Sequence, residues 1–165
     1  MKGEIVIEGG LMKDFKTYNN TLAFINTIPA LVALQNPGFS KKGFVIKKGF
    51  VKYRLIKKTI IKFDKIQIEG ASATLIGKGE INLKTHTIKM ILAIQTARKL
   101  GEMIGNIPLL GYILMGEDKS MTVGLTIKGN FEQPIVETSA TQDILSLPLQ
   151  LIQRTLESPK HLIKK

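Results

Sequence analysis

The feature that most limits what this chain can fold into is a period-two alternation of apolar and polar residues. It recurs from the N-terminus to about residue 130. In "GEIVIEG", Ile5 and Ile7 share one face with Glu4, Val6 and Glu8 opposite; "KGFVIKK" puts Phe44 and Ile46 together. "FVKYRLI" aligns Val51, Tyr53 and Leu55 against Lys52 and Arg54. Further on, Leu75, Ile81 and Leu83 keep one phase with Gly77 and Gly79 between them. "TIKMILAIQ" aligns Ile88, Met90, Leu92 and Ile94, and "SMTVGLTIKG" aligns Met121, Val123, Leu125 and Ile127. Successive side chains of a strand point to opposite faces, so this pattern predicts antiparallel strands with one apolar and one wet face. Short Gly, Asn and Lys punctuation predicts hairpins or a meander.

One segment breaks phase. In "TIIKFDKIQIEG", Ile61 and Phe63 oppose Lys62 and Asp64, whereas Ile66 and Ile68 oppose Lys65 and Gln67. An extra residue in one strand is what restores facing after such a slip, which predicts a β-bulge near Asp64–Lys65. The wet face is basic, carrying Lys47, Lys52, Lys62, Lys65, Lys89 and Lys128.

Three apolar stretches abandon the alternation, at residues 19–35, 96–116 and 142–158, and each contains a proline. They read as short helices: Asn20 or Thr21 caps the first, and Leu145, Leu149, Ile152 and Leu156 stripe the third. The expected fold is therefore α+β and β-dominated. A long curved, groove-like antiparallel sheet carries three proline-containing amphipathic helices over its apolar face. The 165 residues read as a single domain.

Composition narrows the function. Without cysteine, and with only His86 and His161 far apart, disulfides, thiolate metal sites and a Cys- or His-based nucleophile are excluded. The carboxylates are scattered, and "GKGE" at 77–80 lacks the spacing of a phosphate loop. An enzyme is not expected, and no cofactor or metal is implied. The formal net charge is +11, yet only three of the 24 basic residues are arginine, aromatics are 6%, and tryptophan is absent. Nucleic-acid readers rely on arginine forks and aromatic stacking, so nucleic acid is not the expected partner. An anionic membrane surface stays open.

The order of segments is familiar. "GEINLKTHTIKMILAIQ" followed by "IGNIPLLGYILMGEDKSMTVGLTIKGNFEQPIVET" resembles the C-terminal region of AsmA-like proteins, with Gly79 to Leu83, Ile107 to Gly116 and Ile127 to Val136 as correspondents. The opening strands and first helix resemble that family too. The chain departs from it in "ETSATQDILSLPLQ", where many relatives have an N-P-L-S type turn, and it lacks the family's N-terminal anchor and long repetitive middle.

The resemblance implies a C-terminal fragment of a longer inner-membrane-anchored protein, located in the periplasm of a Gram-negative cell envelope. It implies shielding of phospholipid acyl chains between the two membranes. The lipid-facing candidates are Ile88, Met90, Leu92, Ile94, Met121, Val123, Leu125 and Ile127; each reads equally well as plain core. Ile107, Leu109, Leu110, Ile113, Leu114, Leu145, Leu149 and Ile152 are candidates for capping the groove or touching a bilayer. A structural domain that docks an envelope protein and carries no lipid is the alternative.

Overall fold

The structure, a computed structural model, describes residues 1–13, 19, 20, 23, 42–71, 73–96, 113–115 and 121–147. They form one open antiparallel sheet of nine strands: β1 (Lys2–Ile7), β2 (Gly10–Met12), β3 (Phe44–Ile56), β4 (Ile60–Gly70), β5 (Ala73–Asn82), β6 (Thr87–Thr96), β7 (Ile113–Met115), β8 (Met121–Asn130) and β9 (Gln133–Thr138). A single short helix is described, α1 (Thr141–Leu145).

The sheet is built as a meander. β3 to β6 follow one another through tight turns, and the spatial order runs β1-β3-β4-β5-β6-β8. The β3–β4 turn holds Lys57 and Lys58 at φ of 50° and 59°, a left-handed conformation that matches the twist of paired strands. At the β5–β6 turn, Asn82 Oδ1 accepts from the backbone N–H groups of Lys84 and Thr85, at 3.0 and 3.2 Å. β1 and β2 share one edge of β3, separated by Glu8 and Gly9; β7 and β9 share the far edge of β8.

The phase slip is a bulge, as the alternation predicts. Phe63 pairs with Gly79 and Ile66 with Gly77, so two intervening residues of β4 face one of β5 and both side chains end on the same face.

The helices differ from expectation. Of the first stretch only Asn19, Asn20 and Ala23 are described; they are helical, as expected, but too few to bound an element. Within the second, residues 113–115 are strand, not helix. β9 pairs β8 only from Leu125 onward, so the remaining edge at Met121–Val123 has open backbone groups, and β7 satisfies them. The third begins as α1 but is helical only to Leu145, and residues beyond 147 lie outside the described set.

α1 also covers the face opposite to the one predicted. Ile144 and Leu147 pack on Ile76 and Ala93 to form a small core on the basic side. The larger cluster, with Ile66, Ile88, Met90 and Ile127 at its centre, lies on the other side. Among the described residues no helix is long and apolar enough to cross a membrane.

Candidate functional site

Residues paired across antiparallel strands share a face, so the register defines rows of side chains. One row runs Ile5, Val51, Ile66, Gly77, Leu92, Leu125, Thr138. A second runs Gly3, Tyr53, Phe63, Gly79, Met90, Ile127, Val136. A third runs Ile7, Gly49, Ile68, Leu75, Ile94, Val123. Together they make one apolar face that crosses the sheet without a charged residue.

Glycine interrupts every row, and a neighbour fills each gap. A Cβ on Gly3 would fall 2.6 Å from the Tyr53 ring, and one on Gly49 would fall 3.0 Å from Ile7. Leu92 lies over Gly77 and Met90 over Gly79. Long side chains therefore lie flat along the sheet, which keeps the face continuous where a row has no side chain of its own.

Burial along this face is graded. Ile94, Val123 and Leu125 are fully buried, and Ile127, Ile88 and Met90 nearly so. Leu92, Val51, Tyr53, Leu55, Phe63 and Ile68 are half-buried, and Ile5 is 47% exposed. The face is sealed at β6–β8 and opens toward β1.

The pairing thus brings the lipid-facing candidates Ile88, Met90, Leu92, Ile94, Val123, Leu125 and Ile127 onto one face. The remaining candidate, Met121, is placed by its backbone pairing with Met115. Of the capping candidates, Ile113 and Leu114 sit in β7, and Ile107, Leu109, Leu110, Leu149 and Ile152 lie outside the described residues. Leu145 is 64% exposed, and its neighbours Ile144 and Leu147 make the contact with the sheet. The cause is local. Gly124 leaves a pit in β8 so tight that an added Cβ would collide with Ile144, and a five-residue helix presents only the side chain that fits it.

Sequence reasoning missed the accessible part of the face, Ile5, Tyr53, Leu55, Phe63 and Ile68. Their alternation was readable; their accessibility depends on which strands are central, and that is a property of topology. It also missed the small core under α1. The signal was there: "MILAI" is apolar in both phases, placing Ile91 and Ala93 among the polar positions.

On the opposite face some of the charges are paired. Lys52 meets Glu4 at 3.2 Å and Lys128 meets Glu137 at 2.7 Å, each across a strand pair. At the β4 bulge, Arg54 donates to Asp64 through Nε at 2.7 Å and Nη2 at 2.5 Å. That hydrogen-bonded guanidinium holds the Asp64 carboxyl below the usual carboxylate range. No group of three or more metal-ligating side chains occurs among the described residues.

A family model described as YhdP protein matches residues 2–136. The chain belongs to the YhdP family. That family is AsmA-like, in agreement with the resemblance drawn from the motifs. No curated protein and no solved structure matches the chain. In this YhdP-family sheet the match runs from β1 into β9, ending at Val136, so every residue of the three apolar rows except Thr138 lies inside it.

Proposed function

We propose that this chain is a non-enzymatic lipid-handling module, in which the apolar face shields phospholipid acyl chains. The reading places it in the periplasm, as the C-terminal part of a longer inner-membrane-anchored protein that moves phospholipid between the inner and outer membranes. The YhdP family match supports the class. The observation that carries it is the uncharged face shared by every long strand, half-buried from β3 to β4 and open at Ile5. An acyl chain is a flexible apolar rod, and an apolar strip of a sheet wins free energy by removing it from water at about 25 cal/mol per Å². Nothing in that task needs a nucleophile, an acid or a metal.

A second reading is favoured by one observation. Ile94, Val123 and Leu125 are sealed, as they would be in an end cap that docks a partner protein and carries no lipid. Photo-crosslinking separates the two. A photoreactive phenylalanine analogue at Phe63 is expected to capture phospholipid in cells, and the same analogue at exposed Ile135 is not. A folded protein that yields protein adducts and no lipid adduct at Phe63 overturns the lipid reading in favour of the cap.

A further inference from the structure

A second feature lies on the opposite face and owes nothing to the acyl-chain reading. The β3 strand carries a bulge at Lys47, where Ile46 pairs with Gly70 and Lys48 with Glu69. Directly across from it the edge strand breaks, because β1 ends at Ile7 and β2 resumes at Gly10 after Gly9, whose φ is 99°. Bulge and break together open a notch of about 550 Å³. Lys47, Lys48 and Lys65 line it with the carboxylates Glu8 and Glu69 and with Val6 and Phe50, leaving the cations in excess.

Three cations of that face are matched, Lys52 with Glu4, Arg54 with Asp64 and Lys128 with Glu137. Lys47, Lys48 and Lys65 make no ion pair among the described residues. Lys65 instead lies over the Phe50 ring, 5.5 Å from its centroid. Flanking the notch, three exposed aliphatics stand on the same face: Val6 (67% exposed), beside the half-buried Phe50, and Leu11 (50%) beside Val45 (52%).

Unmatched lysines beside protruding aliphatics fit one environment, the boundary between anionic headgroups and acyl chains. We propose that this corner of the sheet docks on an anionic bilayer. The three lysines meet headgroup phosphates in and around the notch, and Val6, Leu11 and Val45 enter the acyl boundary. The net charge of +11 draws the whole molecule to the same surface.

The test uses the complete chain and vesicles of phosphatidylglycerol mixed with phosphatidylcholine, against phosphatidylcholine alone. Flotation is expected only with the anionic vesicles. At about fivefold per lysine, K47A/K48A is expected to weaken binding about 25-fold, whereas K84A/K89A, at the other end of the strands, changes it less than twofold. The chain has no tryptophan, so V6W and L83W each introduce a single reporter at an exposed position. V6W emission is expected to shift to the blue on anionic vesicles and L83W emission to stay unchanged. Equal loss in the two lysine doubles, or a blue shift confined to L83W, overturns the proposal. So does release of the chain from vesicles by millimolar glycerol phosphate, which would make the notch a free-phosphate site. An acidic peptide bound in place of vesicles overturns it too. Circular dichroism of each variant reports that the sheet is intact.

Discussion

Arg54 and Asp64 meet across the β3–β4 pair because β4 carries one residue too many. Two hydrogen bonds, 2.7 and 2.5 Å long, join guanidinium and carboxylate on the basic face. Without the bulge, the residues after position 64 would turn to the wrong side, and Ile66 and Ile68 would leave the apolar face. The pair sits on a structural necessity without creating it. Deleting Asp64 is therefore expected to abolish cooperative urea unfolding, while Asp64→Ala keeps the register and lowers the midpoint only slightly, as for a solvent-exposed ion pair.

The same pair has a pH signature. The folded-state pKa of Asp64 is lowered, first by its hydrogen bonds to Arg54, below the unfolded value near 4. Its contribution is thus complete above that unfolded value and is lost as pH falls through the lower folded pKa. Thermal melts of the native chain should decline below about pH 4 more steeply than melts of Asp64→Asn. Parallel curves would show that other carboxylates control acid unfolding.

Leu92 lying over Gly77 predicts a coupled pair. A Cβ at Gly77 collides with Leu92 and lies 3.0 Å from the Ile91 carbonyl oxygen. Gly77→Ala is expected to cost about 1–3 kcal/mol through overpacking. Leu92→Ala removes the obstructing side chain, so the double variant should be more stable than the sum of the singles implies. Equilibrium urea unfolding of the four proteins measures the coupling, and additivity would mean that the backbone carbonyl is the real obstruction.

How far the sequence reveals this molecule depends on the scale of the information. Strand direction, the apolar phase and even the bulge beside Asp64 were legible, since each is written in neighbouring residues. Strand β7 was not, because Ile113–Met115 become strand only through an edge of β8 that β9 leaves open. The face chosen by α1 was hidden for a related reason: the pit at Gly124 exists only once β8 lies between its neighbours. Burial along the apolar face was likewise invisible, since Ile5 and Ile94 occupy the same phase of the same pattern and differ only in strand order.

The docking of α1 gives a fourth test. Ile144 is fully buried in the pit over Gly124, against Ile76 and Ala93. Ile144→Ala is expected to cost about 2–4 kcal/mol, the range for removing a buried aliphatic side chain. Gly124→Ala should release the same helix from the other side of the contact, because its new methyl takes the space that Ile144 fills. In both variants, amide exchange at Ser146 and Leu147 is expected to accelerate, since those N–H groups bond within α1 and its final turn. Fast exchange there in the unaltered protein would show that α1 is not held by this contact.

The graded burial of the apolar face predicts opposite outcomes for one substitution at its two ends. Ile5 and Ile94 point to the same side, but Ile5 is 47% exposed and Ile94 fully buried. A carboxylate at Ile94 has no water and no partner, so Ile94→Asp should eliminate the cooperative unfolding transition. Ile5→Asp leaves its carboxylate in water at the sheet edge and should shift the urea midpoint only slightly. If lipid covers the open end, Ile5→Asp should also lower the phospholipid retained through purification, measured by native mass spectrometry of a protein whose fold is unchanged. A large loss of stability at Ile5 would mean that this end of the face is packed as tightly as the other, which removes the opening on which acyl-chain access depends.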